Sequence, residues 1–122
     1  MKNKTILIVD DSFSIRESIS FLLTDYGFNV FKAVDGEDAL SYLDGRKIDL
    51  IITDLHMPVM NGIELISNVR ITENYKRIPI LLLTTETLKQ KKLEAKKAGA
   101  TGWLNKPFEK QKLFNVINKV LR

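Results

Sequence analysis

The chain has 122 residues, of which 44% are hydrophobic and 28% charged, which is enough for one globular domain with a substantial core. The absence of cysteine excludes disulfides and thiolate metal sites. The N-terminal apolar run is too short for a signal peptide, and no stretch approaches the ~20 apolar residues of a membrane span. We therefore expect a single domain over residues 1–122 of a cytoplasmic protein without a membrane partner.

The chain opens with a predicted strand–helix unit. The strand pattern covers residues 6–9 and stops at Asp10 and Asp11. Ser12 or Ser14 can cap the next helix, and the sequence Ser14-Ile15-Arg16-Glu17 fits a capping box. The apolar face of this helix recurs at helical spacing, at Ile15, Ile19, Leu22, Leu23 and Tyr26. Two carboxylates therefore lie between the first strand and the first helix.

The next two strands lead to a further aspartate. Gly27 ends the first helix, and residues 28–33 alternate more than the other strands do, which predicts a strand at the sheet edge. Asp35 begins a short helix, and residues 50–53 have the apolar pattern of a parallel strand covered on both faces. That strand stops at Asp54. An open α/β sheet keeps its ligand crevice at the carboxyl ends of its strands, and Asp54 lies at such an end.

The second half of the chain places a hydroxyl and an amine after two more strands. Asn61 can cap a helix that begins near residue 63, and its buried face is predicted at Leu65, Ile66 and Val69. The strand over residues 80–83 ends at Thr84, and a short strand at residues 103–104 runs into Lys106. These side chains therefore join the aspartates as strand-end groups.

Five predicted strands alternate with five predicted helices, which indicates a parallel α/β sandwich. The helix over residues 87–98 has the weakest pattern, because lysines crowd its apolar stripe. The last helix has a clear buried face, at Leu113, Val116, Ile117, Val120 and Leu121. Since the carboxyl ends of parallel strands meet at one edge, we expect the strand-end acids, hydroxyl and amine to converge there.

Three carboxylates at one edge, those of Asp10, Asp11 and Asp54, favour a bound cation. Two such charges about 4 Å apart repel by roughly 4 kcal/mol at an effective dielectric constant of ~20. Oxygen ligands with room for water favour Mg²⁺, with Mn²⁺ as a substitute, whereas the lack of cysteine and the single histidine argue against zinc.

The strand-end motifs together resemble the receiver domain of two-component response regulators over the whole chain: Asp10–Asp11, Asp54, Thr84 and Lys106–Pro107–Phe108. Within that family, residues 84–86 and 98–103 are most similar to the single-domain chemotaxis regulators of the CheY type. The resemblance implies a five-stranded parallel sheet in the order 2-1-3-4-5 with helices on both faces, which is the flavodoxin-like arrangement.

The resemblance also implies the chemistry of the site. Asp54 accepts a phosphoryl group from a sensor histidine kinase as an acyl phosphate, and Thr84 and Lys106 contact the phosphoryl oxygens. Thr84 and Trp103 then act as the switch, and the Lys106–Pro107 bond is implied to be cis. The protein is expected to be a phosphoacceptor switch, which catalyses only its own phosphorylation and dephosphorylation, and is not counted as an enzyme.

The metal ligands are implied by the same resemblance. Asp11, Asp54 and the backbone carbonyl of His56 contact Mg²⁺, and Asp10 acts largely through water. The imidazole of His56 has no second histidine or cysteine to join it, so we expect an exposed ring beside the site.

Charge is unevenly distributed along the chain. Residues 1–61 hold 6 Lys and Arg and 10 Asp and Glu, a net charge of −4, whereas residues 62–122 hold 13 and 5, a net charge of +8. The basic excess lies on the last two helices and the last strand, the surface that the family uses to bind a downstream target. A phosphatase is a further candidate partner. No helix-turn-helix or basic patch interleaved with aromatic residues supports nucleic-acid binding.

Two alternative functions remain open at this point. Within the family, the chain could serve as a phosphorelay intermediate instead of a chemotaxis effector. Outside it, haloacid-dehalogenase-like phosphatases also use a strand-end aspartate, but they place an acid two residues beyond it, where this chain has His56. A nucleotide-binding module is disfavoured, because the sequence has neither a G-x-G-x-x-G motif nor a P-loop.

Overall fold

A five-stranded parallel sheet forms the centre of the computed structural model, which describes residues 3–122. The elements in chain order are β1 (Thr5–Val9), α1 (Phe13–Tyr26), β2 (Asn29–Ala33), α2 (Gly36–Ser41), β3 (Leu50–Thr53), α3 (Gly62–Arg70), β4 (Ile80–Thr84), α4 (Lys89–Ala98), β5 (Gly102–Asn105) and α5 (Lys110–Leu121). The strand order is β2-β1-β3-β4-β5. The predicted fold class and strand order are therefore confirmed, and β2 lies at a sheet edge as its alternation indicated.

Two apolar clusters cover the two faces of the sheet. Successive residues of a strand point to opposite faces, so Leu7 belongs to one cluster and Ile8 to the other. Helices α2, α3 and α4 pack on the first face, and α1 and α5 pack on the second. Each fully buried Leu or Ile side chain contributes roughly 1.5–3 kcal/mol. The central strands β1, β3 and β4 are buried along their whole length, which fixes where their carboxyl ends lie.

The start of α1 corrects one expectation from the sequence. Ser12 is the N-cap, because the Ile15 N–H donates to the Ser12 hydroxyl at 3.4 Å, so the capping box proposed from Ser14 is wrong. The reason lies two residues earlier, at Asp10. The Ser12 N–H donates to Asp10 Oδ1 at 2.9 Å, which holds Ser12 extended and starts the helix at Phe13. Glu17, expected to complete the box, instead pairs with Lys32.

The start of α3 confirms the predicted cap and explains a glycine. Asn61 accepts the Glu64 N–H at 2.8 Å, and Glu64 accepts the Asn61 N–H at 2.9 Å, which is a complete capping box. The helix begins at Gly62, one residue before the predicted start. A Cβ added to Gly62 would lie 2.4 Å from the backbone oxygen of Asp54. Only glycine therefore lets α3 begin so close to this strand end.

The C-terminal helices differ from their predicted patterns in detail. Helix α4 begins at Lys89, later than predicted, and its buried residue is Ala95. In α5, Phe114 is buried in addition to the predicted Leu113 and Ile117, and its ring stacks on that of Tyr26 at 4.3 Å between centroids. Among the described residues, no helix combines the length and the apolar character needed to cross a bilayer.

Val59 lies in a strained turn between β3 and α3. Its φ is 70°, and the Met60 N–H donates across it to the Pro58 carbonyl at 2.7 Å, which makes a three-residue γ-turn. Positive φ is unfavourable for a β-branched residue, and strained residues of this kind cost roughly 1–3 kcal/mol. The side chain is 76% exposed, so burial offsets little of this cost.

Replacing Val59 by asparagine should therefore stabilise the protein, because asparagine tolerates positive φ. We expect Val59→Asn to raise the free energy of unfolding by about 1 kcal/mol, which corresponds to a rise of about 3–6 °C in the melting temperature. The control is Val34→Asn, at an exposed valine without positive φ. Equal changes in the two variants, measured by thermal melts, would contradict the assignment of strain to Val59.

Candidate functional site

Two neighbouring strands bring three carboxylates together. Asp10 and Asp11 follow β1, and Asp54 follows β3, which pairs with β1 in the register Val9 with Thr53. The Asp54 N–H donates to the Val9 carbonyl at 3.0 Å, so the strand pairing extends to the start of the site. Carboxylate oxygens from the three aspartates lie within 4.8 Å of one another. The predicted convergence of these acids is therefore present in the structure.

Lys106 reaches the same site from the opposite edge of the sheet. Its Nζ lies 3.0 Å from Asp10 Oδ2 and 3.3 Å from Asp54 Oδ2, and 10% of its side chain is exposed. The Lys106 N–H donates to the Thr84 carbonyl at 2.9 Å, and the bond to Pro107 is cis, as the resemblance implied. One ammonium faces three carboxylates, which leaves two negative charges in this group.

Asp10 is buried, and an arginine that the sequence analysis did not single out helps to hold it. Arg16 Nη1 donates to the Asp10 carbonyl at 2.7 Å, from α1. The Arg16 guanidinium also lies 5.7 Å from the centre of the Phe13 ring. An arginine one turn after a helix cap that adjoins two acids is the sequence signal that could have indicated this contact.

The donor set fits a hard divalent cation. Carboxylate oxygens are the ligands that Mg²⁺ prefers, and a divalent ion matches the net charge of the three acids and Lys106. The exposed imidazole of His56 instead places Nε2 2.9 Å from Glu86 Oε1. The ring is thus exposed beside the site, as expected, and engaged elsewhere. The role of the His56 carbonyl as a ligand remains a prediction.

Thr84 is completely buried and, among the described residues, makes no hydrogen bond to the acid cluster. Its hydroxyl accepts the Glu86 N–H at 3.2 Å, and Asn105 Nδ2 donates to the Glu86 carbonyl at 2.6 Å. The pKa of Glu86 is lowered, chiefly because its carboxylate accepts the Leu88 N–H, and the His56 side chain adds to this effect. Glu86 and Asn105 were not predicted as part of this region.

Trp103 shares one face of the sheet with Thr84. In the register of β4 and β5, Trp103 pairs with Leu82 and Asn105 pairs with Thr84. Alternation along each strand puts these four side chains on the same face, so Trp103 is diagonally adjacent to Thr84. The indole is half-buried and packs against the apolar cluster on that face. This placement is compatible with the predicted switch pair, whose role remains a prediction.

Known proteins resemble the chain along nearly all its length. The chemotaxis protein CheY-3 of Vibrio cholerae is 40% identical over 120 residues, which cover 98% of this chain and 92% of that protein. The solved structure of V. cholerae CheY4 has a TM-score of 0.93 and 47% identity, and the match covers 98% of this chain and 99% of that one.

A second solved structure carries a metal. The receiver domain of a Pseudomonas aeruginosa sensor histidine kinase, which has a magnesium ion in its active-site cleft, has a TM-score of 0.90 and 28% identity, with 98% of each chain covered. The family described as response regulator receiver domain matches residues 6–118. With its fold, its strand-end acids and these relatives in agreement, the chain belongs to the response regulator receiver domain family.

Proposed function

We propose that this receiver is a single domain over residues 1–122 that accepts a phosphoryl group on Asp54 from a sensor histidine kinase and signals in chemotaxis. The observation that carries the proposal is the position of the Asp54 carboxylate, grouped with two other acids and 3.3 Å from the ammonium of Lys106. The chemotaxis-type relatives support the pathway. A phosphorelay role remains the alternative within the family.

The reaction joins a carboxylate oxygen of Asp54 to phosphorus as the phosphorus–nitrogen bond of the kinase's phosphohistidine breaks. Asp54 Oδ1 already accepts the Leu55 N–H at 2.6 Å, which orients the carboxylate. Lys106 neutralises charge on the transferred group, because its ammonium lies beside Asp54 Oδ2. Positioning and charge neutralisation are the main requirements of phosphoryl transfer, and these residues supply both.

Asp10, Asp11, Asp54 and the His56 carbonyl would hold the metal, with Mn²⁺ able to replace Mg²⁺. When bound, Mg²⁺ supplies positive charge next to the phosphoryl oxygens. A dehalogenase-like phosphatase is disfavoured, because it needs a carboxylic acid two residues after the nucleophile. This chain has His56 at that position, and the imidazole pairs with Glu86.

Thr84 connects phosphorylation to target binding in this proposal. We propose that its hydroxyl leaves the Glu86 N–H for a phosphoryl oxygen, and that Trp103 repacks beside it. The repacked face, formed by α4, β5 and α5, then binds a downstream target protein. The proposed kinase draws on ATP, so we place the exchange in the cytoplasm, where a phosphatase would reset it.

The first test is chemical. With Mg²⁺ and acetyl phosphate, the intact protein should gain the mass of one phosphoryl group, and hydroxylamine should remove it, as expected for an acyl phosphate. Asp54→Asn should gain none, whereas Asp25→Asn, at an exposed aspartate outside the cluster, should label as wild type does. Undiminished labelling of Asp54→Asn by mass spectrometry would show that the phosphoacceptor is another residue.

A second test concerns the switch. Trp103 is the only tryptophan, so its emission reports on this position alone. Beryllofluoride with Mg²⁺ should change the emission beyond any effect of Mg²⁺, and Thr84→Ala should remove most of that extra change. Thr85→Ala, which removes the neighbouring exposed hydroxyl, should respond fully. A full response from Thr84→Ala would mean that Thr84 does not transmit the signal to Trp103.

A further inference from the structure

Lys92 on α4 lies over the indole of Trp103. Its Nζ is 5.5 Å from the centre of the ring, within the range of a cation–π interaction. Lys92 is exposed and makes no ion pair in the part of the chain that the structure describes, although the neighbouring Lys91 pairs with Glu94. The indole is therefore the partner that the structure shows for the charge of Lys92.

Within the described residues, the indole of Trp103 lacks a hydrogen bond for its buried N–H. Its Nε1 is buried and has no hydrogen-bond partner among residues 3–122. A buried donor without a partner destabilises the arrangement that contains it. Helix α4 and β5 also leave an open cavity of about 240 Å³ beside the ring, lined by Lys92, Lys96, Ala95, Thr101 and Gly102 among others. The ring thus packs on the apolar cluster with an unsatisfied buried N–H, has free space beside it and has one cationic contact on its exposed side.

We propose that Lys92 is a positioning residue that stabilises Trp103 in the arrangement seen here and so opposes the switch. The inference rests on the proposed function, in which Trp103 repacks when Asp54 is phosphorylated. If the ring moves away from Lys92, the cation–π contact is lost. The interactions formed on phosphorylation must then offset the free energy of that contact. A ligand at Asp54 shifts the two arrangements only by its differential affinity for them.

The expected change in affinity follows from the strength of the cation–π contact. Cation–π pairs at exposed sites correspond to about a two- to five-fold change in an equilibrium constant. By linkage, the same factor should appear in the affinity of any ligand that favours the repacked state. An acidic group on a target that draws Lys92 off the ring would release Trp103 in the same way, which couples target binding to the switch.

The test uses beryllofluoride with Mg²⁺ as the phosphoryl analogue. Lys92→Gln removes the charge and should tighten beryllofluoride binding about two- to five-fold. Lys92→Arg keeps a cation that stacks on aromatic rings and should bind as wild type does. The matched control is Lys96→Gln, which removes an exposed charge from the same cavity but not from the ring, and should leave the affinity unchanged.

The outcomes separate this inference from the proposed function. If wild type fails to bind beryllofluoride, the proposed function is overturned, and this inference with it. If wild type binds but Lys92→Gln shows no tightening, or none beyond that of Lys96→Gln, the inference alone is overturned.

A second measurement examines the ring instead of the lysine. Fluorination of the single tryptophan weakens the negative face of the indole in steps, with little change in shape. Beryllofluoride affinity should rise with each added fluorine in the Lys92 protein and should stay flat across the same series in Lys92→Gln. Parallel trends in both backgrounds would show that the effect of fluorination does not depend on Lys92, which would contradict the proposed cation–π contact.

Discussion

Repulsion among the carboxylates of Asp10, Asp11 and Asp54 determines which groups the site can hold. Their oxygens lie within 4.8 Å of one another, and Lys106 is the one ammonium within 4 Å of Asp10 and Asp54 among the described residues. A pair of like charges about 4 Å apart costs roughly 4 kcal/mol at an effective dielectric constant of ~20. The site therefore gains stability from added positive charge, which a divalent cation would supply.

The fold keeps these carboxylates close together despite their repulsion. Strand pairing carries through to the Asp54 N–H, the Ser12 N–H and Arg16 fix Asp10, and Gly62 lets α3 begin against the Asp54 carbonyl. Because each of these contacts involves the backbone, the backbones of Asp10 and Asp54 cannot separate without disrupting a helix start or a strand end. The strained turn at Val59 lies in the connection from β3 to α3, which begins with Asp54. Backbone strain of this kind clusters at functional sites.

The sequence predicted what depends on strand ends and missed what depends on loops. Asp10, Asp54 and Lys106 could be placed together because buried strand patterns precede them and parallel strands share an edge. The contact of Glu86 with His56 joins residues 30 positions apart on two irregular loops, for which no periodicity exists. The choice of Ser12 over Ser14 as helix cap depended likewise on a hydrogen bond to a side chain outside the helix.

The same division applies to the face formed by α4, β5 and α5, for which target binding is proposed. The basic character of the last two helices is visible in the composition, and the strand at Trp103 is visible in its apolar pattern. The lysine that lies over the indole could not be identified, because α4 has a weak apolar stripe and its rotation on the sheet follows from the burial of Ala95. Five lysines lie on this helix, and the packing of Ala95 and Ala98 on the sheet is compatible with Lys92 as the one that meets the ring.

Without metal, the carboxylates of the site repel one another and lower the stability of the fold, and the free energy of unfolding in the absence of metal measures this effect. In urea titrations with EDTA, Asp54→Asn should be more stable than wild type by about 1–2 kcal/mol, less than the full pair repulsion because solvent screens the site. Glu73→Gln, which makes the same charge change at an exposed residue, should alter stability little. With Mg²⁺ present, wild type should regain the difference. Equal or lower stability of Asp54→Asn in EDTA would show that the carboxylates do not destabilise the metal-free protein by repulsion.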